Sequence, residues 1–443
     1  MQDTPADFSI GDALERLRGQ YVSRNPRSLA LHRAAEAALP GGNTRSVLHF
    51  DPFPLFMERG AGAELRDVDG HHYVDCVGEF SAGLYGHSEP VILAAIHGAL
   101  ERGLVMAAPT DMEAQLAEAI HARFPSVERL RFCNSGTEAN VLALMTAMAV
   151  TGRKKILVFR EAYHGGVLAF PGSGNPVNLP LDYVLGDFND GALAEELVHR
   201  HRDELAAAIV EPILGAGGNI PATRDFLGRL RAATAEAGAL LVLDEVKTSR
   251  MGAGGMQGRL GIRPDLTSFG KYVGGGLPSG AFGGRADIME RFNPKRPDAF
   301  RHAGTFNNNI CSMTAGLAGM TKVFTPERAD RFLDESEAFR RSLNADLAAR
   351  GLPMHFSGLG SMFTLHFTPG PIHGPGEIPP HSRHLGQLFH MHGIQAGVLV
   401  ASRGDVFLTL PMEERHRSRL RDALAGFVAE YEPLIRRACA AAA

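Results

Sequence analysis

The chain has 443 residues, of which 44% are hydrophobic and 21% are charged, and its formal net charge is −4. This length and apolar fraction allow a large buried core, while the near-neutral charge argues against nucleic acid or an anionic membrane as a partner. The cysteines have no paired spacing, the amino-terminal segment has no apolar signal core, and no apolar run is long enough for a membrane span. These features predict a cytoplasmic protein that acts on small molecules.

The amino-terminal part of the chain predicts a helix followed by a small antiparallel segment. Residues 10–37 have the apolar periodicity of one amphipathic helix, and the Pro-Gly-Gly sequence at residues 40–42 ends that pattern. The Asp69-Gly70 pair lies between two partly alternating runs, which is typical of a β-hairpin.

From about residue 88, short apolar runs alternate with helical stretches. These runs are KKILVF (154–159), LAAAIVEPI (205–213), ALLVLDEV (239–246), DLTSF (265–269) and GAFGGR (280–285). Continuous apolar strands separated by helices favour a mostly parallel sheet covered on both faces. We therefore predict an α/β fold with a large domain at residues 81–325. Residues 1–80 and 326–443 are predicted to form a smaller α+β domain built from both chain ends.

Three ionisable residues lie where predicted strands end. Asp244 ends the LLVLD run, Glu211 follows AIV, and Lys271 follows TSFG. Ligands of open parallel sheets bind beyond the carboxyl ends of the strands, so these residues are candidates for a functional site. Partial burial lowers the pKa of a lysine toward the nucleophilic range. Asp244 alone fits a buried ion pair as well as a cofactor contact, and for Glu211 we favour a structural role as a site wall or arginine partner.

The stretch FCNSGTEANVLALMTAMAVTG places Ser135, Gly136 and Thr137 at the start of a long helix. The unpaired N–H groups and positive dipole of a helix start suit a phosphate, although helix capping alone also explains these residues. A lysine for a Schiff base, an acid for a pyridinium nitrogen and a phosphate site together indicate a pyridoxal phosphate (PLP) enzyme. The glycines at 274–276 are then expected to let the backbone pass close to the cofactor.

Five motifs resemble those of the class III, or omega, aminotransferases of PLP fold type I: NSGTEAN, YHGG, LLVLDEVKTSR, SFGKYVGGG and GTFNNN. Within that class the chain looks similar to the branch of glutamate-1-semialdehyde aminomutases and aromatic β-amino acid (β-phenylalanine) transaminases. The resemblance implies that Lys271 forms the Schiff base with PLP and that Asp244 holds the pyridinium nitrogen. The remaining cofactor-binding residues that it implies are Ser135, Gly136, Thr137, Tyr163, Val246 and, from the second subunit of a homodimer with shared active sites, Thr305.

The position of one arginine separates the two activities of this branch. In the aminomutase pattern the arginine falls where this chain has Leu48, whereas here it is Arg45. The tryptophan-glycine pair of the aminomutases is replaced by Phe80 and Ser81. The resemblance therefore implies a β-amino acid transaminase in which Arg45 binds the substrate carboxylate, Phe80 borders an aryl pocket and Arg403 serves the other substrate.

The implied small-molecule partners are an amino donor and a keto acid acceptor, 2-oxoglutarate or pyruvate, which react in a ping-pong mechanism. A glutamate-1-semialdehyde 2,1-aminomutase and a general omega-amine transaminase remain alternatives. A decarboxylase or racemase of the same fold would use the same Lys271 and Asp244. Lys247 departs from the class, in which this position is methionine or glutamine. It could pair with Asp244, contact the cofactor hydroxyl or point away.

A histidine-rich stretch raises the alternative of a metal-dependent enzyme. Its members are His381, His384, His390 and His392. Their spacing matches no zinc motif and no acid ligand is near in sequence, so we predict no metal site. A non-enzymatic binding module would not need a buried lysine.

Overall fold

The computed structural model describes residues 9–440. Its amino-terminal part contains α1 (Ile10–Arg24), α2 (Pro26–Glu36), β1 (Met57–Ala61), β2 (Glu64–Asp67) and β3 (His72–Asp75). The prediction of one helix over residues 10–37 is wrong, because Pro26 begins a second helix and a residue before proline is disfavoured in helical conformation. Asn25 accordingly has φ −123° and ψ 51°. The predicted hairpin is confirmed, since β2 and β3 pair antiparallel.

The central part of the chain is a layered α/β unit. Its helices are α3 (Pro90–Arg102), α4 (Asp111–Arg123), α5 (Gly136–Thr151), α6 (Gly191–Arg200), α7 (Arg224–Ala237), α8 (Gly255–Leu260), α9 (Ala286–Met289) and α10 (Ile310–Ala318). Its strands are β4 (Arg129–Cys133), β5 (Lys155–Phe159), β6 (Asp182–Gly186), β7 (Leu205–Val210), β8 (Ile213–Leu214), β9 (Ile220–Pro221), β10 (Leu240–Asp244), β11 (Leu266–Gly270) and β12 (Gly280–Gly284).

A seven-stranded sheet forms the centre of this unit, in the order β4-β12-β11-β10-β7-β5-β6. Strand β12 runs antiparallel to both of its neighbours, and the other pairs are parallel. The mostly parallel sheet predicted from the apolar runs is therefore confirmed, with the GAFGG strand reversed in direction. Strands β7 and β10 are buried along their whole length because α5 and α7 pack against them.

The carboxyl-terminal part contains α11 (Pro326–Ala349), β13 (His355–Leu359), β14 (Met362–His366), α12 (Ser382–Gln395), β15 (Val398–Leu399), β16 (Asp405–Phe407) and α13 (Glu414–Ala440). Strand β15 pairs parallel with β3, so both ends of the chain contribute to one sheet, β1-β2-β3-β15. Helix α1 also packs against α12. A smaller α+β domain is thus built from both chain ends, while the boundaries at residues 80 and 325 stay a prediction. No helix within residues 9–440 combines the length and apolarity that crossing a membrane requires.

Two single 3-10 turns, Gly78–Ser81 and Lys271–Gly274, carry candidate site residues. The second turn leads into Gly275, whose φ is 64°. A Cβ added there would lie 2.4 Å from the backbone carbonyl of Ala315 in α10. Glycine at 275 is therefore required by helix packing and by a left-handed backbone, a reason that the sequence reading did not foresee.

Candidate active site

The carboxyl ends of three neighbouring parallel strands bring the predicted ionisable residues together. Strands β11, β10 and β7 are adjacent in the sheet. Asp244 is the last residue of β10, while Lys271 and Glu211 directly follow β11 and β7. Helix α5 starts at the same edge, because a Cβ added to Gly270 would lie 3.1 Å from the backbone nitrogen of Gly136. The sheet thus gathers a lysine, two carboxylates and a helix amino terminus.

Asp244 is buried, with 5% of its surface exposed. Its Oδ2 accepts hydrogen bonds from His164 Nδ1 and Asn140 Nδ2, each at 2.8 Å, and its Oδ1 accepts one from the Val246 N–H at 3.0 Å. These three donors fix the orientation of the carboxylate. The sequence reading assigned no role to His164 or Asn140, although both lie in the quoted motifs YHGG and NSGTEAN.

Lys271 combines a left-handed backbone with a buried amine. Its φ is 57°, in a region that residues other than glycine rarely adopt. Its Nζ donates a hydrogen bond to the Phe80 carbonyl at 2.9 Å. Burial, followed by the positive charges of Lys247 and Arg45, lowers the pKa of Lys271 to about 7. Much of this amine is therefore neutral near pH 7 and able to act as a nucleophile or a proton acceptor.

The start of α5 offers hydrogen-bond donors to an anion. Ser135 caps the helix, and its Oγ accepts a hydrogen bond from the Glu138 N–H at 3.1 Å. The N–H groups of Gly136 and Thr137 have no acceptor within the described part of the chain, as expected for a first helical turn. The Val246 side chain lies over Gly136, where an added Cβ would be 2.8 Å from both valine methyl groups. Only glycine leaves room for that contact.

These groups fit PLP. The two N–H groups of the α5 start suit its phosphate, the buried Asp244 carboxylate suits its protonated ring nitrogen, and the Lys271 amine suits its aldehyde. When bound, PLP supplies an electron sink that stabilises negative charge on a substrate carbon. Asp244 would balance the charge of the ring nitrogen, and the Lys271 amine would carry a proton to and from the substrate carbon.

Tyr163 and Thr305 lie at the periphery of this site. Tyr163 is 50% exposed, and its N–H donates to Glu211 Oε1 at 2.9 Å. Glu211, whose pKa is raised by burial, therefore fixes the YHGG backbone, and within residues 9–440 its hydrogen-bond donors are backbone N–H groups and not an arginine. Thr305 is exposed on a turn in which the Asn307 side chain accepts a hydrogen bond from Asn134 Nδ2 at 2.9 Å. That turn is thus tied to the NSGTEAN motif within one chain.

Arg45 and Phe80 lie together outside the central sheet. The Arg45 guanidinium forms an ion pair with Glu79, and its central carbon lies 5.8 Å from the centroid of the Phe80 ring. The two charged side chains are 44% and 54% exposed. The turn Gly78–Ser81 has φ values of 49°, 50°, 51° and 76°. This left-handed turn carries both Glu79 and the carbonyl that binds Lys271, and nothing in the sequence singled out Glu79.

Arg403 lies at a cleft of about 930 Å³ that is bordered by both chain ends and the large domain. Its Nη2 donates to Asp405 Oδ2 at 2.8 Å, and its Nη1 donates to the Ala216 carbonyl at 3.3 Å. The charge of Asp405, acting against burial, raises the pKa of Arg403. Lys271 and Asp244 do not line this cleft, whereas Ala216 of the loop that follows β7 does.

Three of the four histidines considered as metal ligands contact other groups of the protein. His390 Nδ1 donates to the Val400 carbonyl at 2.7 Å, and His392 Nδ1 lies 3.4 Å from Glu430 Oε2. His381 Nε2 lies 3.1 Å from the Phe367 carbonyl oxygen. Within residues 9–440, no three His, Cys, Asp or Glu side chains are arranged to hold a metal ion.

Known proteins match this chain in sequence and in fold over nearly its whole length. The sequence profile of the family described as aminotransferase class-III matches residues 48–413. The chain therefore belongs to the class III aminotransferases, and it is a PLP-dependent aminotransferase of the α/β fold type I. The predicted family, fold, enzyme class and cofactor are thus confirmed.

Within this family the chain is similar to a β-phenylalanine transaminase from Variovorax paradoxus. The two are 43% identical over 438 residues, which cover 99% of this chain and 100% of the relative. A crystal structure of a β-phenylalanine aminotransferase from that organism has a TM-score of 0.94 and covers 96% of this chain and 99% of the other. An omega-transaminase structure from Sphaerobacter thermophilus has a TM-score of 0.86 at 35% identity, covering 92% of this chain and 99% of the other.

A glutamate-1-semialdehyde 2,1-aminomutase from Nitratidesulfovibrio vulgaris is 40% identical over 364 residues. That match covers 78% of this chain and 85% of the relative. Both activities of the branch are therefore represented among its relatives, and the choice between them depends on the residues around the site.

Proposed function

We propose that this enzyme transfers the amino group of an aromatic β-amino acid, such as β-phenylalanine, to 2-oxoglutarate or pyruvate. The transfer takes place in two half-reactions, so that donor and acceptor use the site in turn. A β-phenylalanine transaminase is 43% identical over the full length of the chain, which supports this substrate class.

The observation that carries the proposal is the left-handed turn that connects Arg45 to Lys271. Glu79 of this turn forms an ion pair with the Arg45 guanidinium. The carbonyl of the next residue, Phe80, accepts a hydrogen bond from the Lys271 amine. A carboxylate-binding cation, an aromatic ring and the catalytic amine are therefore neighbours. A β-amino acid with an aryl substituent presents a carboxylate, an amine and a ring in the same compact arrangement.

Glu79 forms an ion pair with the Arg45 guanidinium, the group to which the substrate carboxylate would bind. Both partners are largely exposed, and exposed ion pairs contribute only about 0 to 1 kcal/mol to stability. A substrate carboxylate that binds Arg45 through two hydrogen bonds can therefore displace Glu79 at small cost. Donors that lack a carboxylate would leave the Arg45–Glu79 pair in place.

We assign the cofactor roles to the residues that the motifs indicate. Lys271 forms the Schiff base and moves the proton, and Asp244 holds the ring nitrogen. Ser135, Gly136 and Thr137 bind the phosphate, while Tyr163 and Val246 cover the two ring faces. In support, Asp244 is fixed by three donors and Val246 packs on Gly136.

We further propose a homodimer in which Thr305 of one chain completes the phosphate site of the other. Thr305 is exposed and Phe306 is 58% exposed in the single chain. An exposed aromatic side chain beside Thr305 supports a surface that a second subunit covers. Arg403 is proposed for a carboxylate of the second substrate, which would compete with Asp405 for its guanidinium. The cytoplasmic location stays a prediction.

The competing activity is the aminomutase, favoured by a relative that is 40% identical over 364 residues. A general omega-amine transaminase is the other alternative. Steady-state assays of β-phenylalanine, β-alanine, 1-phenylethylamine and glutamate semialdehyde, each with pyruvate and 2-oxoglutarate, distinguish the three. Glutamate semialdehyde as the best substrate would replace our proposal by the aminomutase.

The decisive variant is Arg45→Ala. We expect kcat/KM for 3-amino-3-phenylpropanoate to fall by an amount that corresponds to about 2 to 5 kcal/mol of lost transition-state stabilisation, because the substrate carboxylate loses its charged partner. The value for 1-phenylethylamine, which has no carboxylate, should change little. Equal losses of kcat/KM for both donors would show that Arg45 supports the fold or the cofactor site and does not bind the substrate carboxylate.

A further inference from the structure

Lys247 places an amine beside the active site that forms no ion pair and no hydrogen bond within residues 9–440. Its Nζ lies 5.0 Å from the centroid of the Phe407 ring. Burial lowers the pKa of Lys247, while the charges of Glu211 and Asp405 act against that shift, so an anionic ligand beside the amine would stabilise its protonated form. A partly buried cation of this kind is available to an anionic ligand.

The position of the ammonium is fixed by the loop that follows β7. A Cβ added to Gly215 would lie 2.3 Å from Lys247 Nζ, so the lysine lies directly against that glycine. The next residue, Ala216, uses its carbonyl to accept a hydrogen bond from Arg403. Lys247 and Arg403 therefore contact consecutive residues of one loop, Lys247 near the Lys271 amine and Arg403 at the outer cleft.

The nearby acids already have other partners. Glu211 accepts hydrogen bonds from the backbone N–H groups of Tyr163, at 2.9 Å, and Gly215, at 3.2 Å. Asp405 accepts from Arg403 at 2.8 Å and from the Thr364 hydroxyl at 2.6 Å. Arg403 thus pairs with Asp405, whereas no carboxylate in the described part of the chain forms an ion pair with Lys247. Of the two cations that contact this loop, Lys247 is the one that can bind a new anion without first losing an ion pair.

A second aromatic contact relates Lys247 to the reacting amine. The Phe407 ring that lies beneath Lys247 also contacts the Phe80 ring, with centroids 6.4 Å apart. Phe80 in turn carries the carbonyl that binds Lys271 and lies beneath Arg45. Two cations, Arg45 and Lys247, therefore flank one pair of aromatic rings next to the catalytic amine.

The two substrates of the proposed reaction carry their carboxylates at different distances from the reacting carbon. In a β-amino acid one carbon separates the carboxylate from the carbon that bears nitrogen, whereas in a 2-keto acid the two are directly bonded. We infer that Lys247 binds the carboxylate that is bonded to the keto carbon of the acceptor, which leaves the distal carboxylate of 2-oxoglutarate to Arg403, while Arg45 binds the carboxylate of the β-amino acid donor. This inference rests on the proposed function and names the acceptor site of the same enzyme.

The test separates the two half-reactions of the holoenzyme. Conversion of the bound cofactor by 3-amino-3-phenylpropanoate, and its return by pyruvate or 2-oxoglutarate, are each followed by the visible absorbance of the cofactor in single turnovers. Lys247→Met removes the charge with a side chain of similar length, and Lys247→Arg retains a charge. Lys322→Met, at an exposed lysine, is the matched control.

In Lys247→Met we expect the concentration of keto acid needed for half-maximal rate to rise about 10- to 100-fold, the loss of one charge-assisted hydrogen bond. The donor half-reaction should keep its concentration dependence. Binding of lactate, which has the same carboxylate but no keto group, should weaken to the same extent when titrated by absorbance against the amino form of the enzyme. Lys247→Arg should remain within about threefold of wild type for both ligands.

An unchanged keto acid dependence in Lys247→Met would overturn the inference, as would equal losses in both half-reactions. A shift in the pH dependence of the cofactor absorbance without a change in lactate binding would place Lys247 on the cofactor and also overturn it. Failure of the proposed function looks different, because wild-type enzyme would then show no absorbance change with the β-amino acid.

Discussion

The proposed cofactor end and the proposed substrate end of this active site are built from different kinds of structure. At the cofactor end, Lys271 and Asp244 lie at the ends of buried sheet strands, and Asp244 is 5% exposed. At the substrate end, Arg45 and Glu79 lie on short turns outside the sheet and are 44% and 54% exposed. Strand ends hold groups in a fixed geometry, whereas surface turns can change partners.

Under the proposed function, chemistry lies in the rigid part of the fold and substrate choice lies in the adaptable part. The three hydrogen bonds to Asp244 leave its carboxylate little freedom. The single ion pair of Arg45 is exposed, so we expect that a substrate carboxylate can replace Glu79 there. Changes at the cofactor end should therefore abolish activity with every substrate, and changes at the substrate end should alter the ranking of substrates.

The largest effect is expected from Lys271→Ala. Loss of the amine removes both the Schiff-base partner of the cofactor and the proton carrier, so kcat should fall by more than about 10³-fold for all donors. Borohydride should no longer fix cofactor to the protein, which mass spectrometry of the treated chain measures. Lys322→Ala, at an exposed lysine, is the control. Substantial transamination by Lys271→Ala would transfer the role to Lys247.

Asp244→Asn should rank next. An amide cannot balance the charge of a protonated ring nitrogen, and breaking a buried charge pair costs about 3 kcal/mol or more, so kcat/KM should fall roughly 10²-fold or more. The loss should be the same for aromatic β-amino acids and simple amines. Asp225→Asn, at an exposed aspartate, serves as the control. A donor-dependent loss would show that Asp244 acts on the substrate.

Thr305→Ala tests whether the cofactor end extends across two chains. The expected result is a loss of about 1 to 3 kcal/mol in cofactor binding, the scale of one hydrogen bond to a charged group, measured by equilibrium dialysis. Thr321→Ala, at an exposed threonine within one chain, should bind cofactor normally. Sedimentation at assay concentration should show a dimer, and a fully active monomer would exclude a shared site.

The lowered pKa of Lys271 predicts the pH dependence of cofactor capture by protein from which PLP has been removed. Because the pKa is about 7 and only the neutral amine reacts, the rate should rise about tenfold per pH unit below 7 and level off above it. For the same reason the cofactor-free fold should gain stability between about pH 7 and 10.5, where only the unfolded lysine binds the proton. A rate that keeps rising to pH 10 would contradict the buried environment of Lys271.

Glu79→Gln should have the smallest effect, and its direction is the informative part. Removing the competing carboxylate frees the Arg45 guanidinium, so KM for 3-amino-3-phenylpropanoate should fall by up to about fivefold while kcat is retained. KM for 1-phenylethylamine should not change. Glu118→Gln, at an exposed glutamate on a helix, should leave both values unchanged. A rise in KM would mean that Glu79 positions Arg45 for the substrate.

The sequence was sufficient to predict that Asp244 and Lys271 lie at neighbouring strand ends of one sheet. Apolar runs define the strands, and parallel strands share a carboxyl-terminal edge, so Asp244 and Lys271 had to lie near each other. The roles of His164 and Asn140 could not be obtained in this way. Both reach Asp244 from other elements, and such contacts depend on how a loop and a helix cross the sheet.

The proposed substrate end was less predictable from the sequence. Arg45 and Phe80 were selected by their positions in the motifs. The Arg45–Glu79 ion pair, however, depends on a left-handed turn that no residue pattern predicts. The continuous helix predicted over residues 10–37 failed for a local reason, the helix start at Pro26, which the apolar periodicity concealed. Periodicity records which face is buried and not where the backbone changes direction.

The turn Gly78–Ser81 also bears on how this enzyme would respond to selection for heat tolerance. Its last three residues have φ values of 50°, 51° and 76° without being glycine, and each such residue costs about 1 to 2 kcal/mol relative to a relaxed backbone. Glycine at position 79 or 81 would relieve that cost and raise the melting temperature. It would also loosen the peptide that holds the Lys271 amine and, at position 79, remove the counterion of Arg45. Thermal tolerance and substrate discrimination would therefore both depend on these four residues. Variants selected for thermal tolerance should be screened for loss of substrate discrimination.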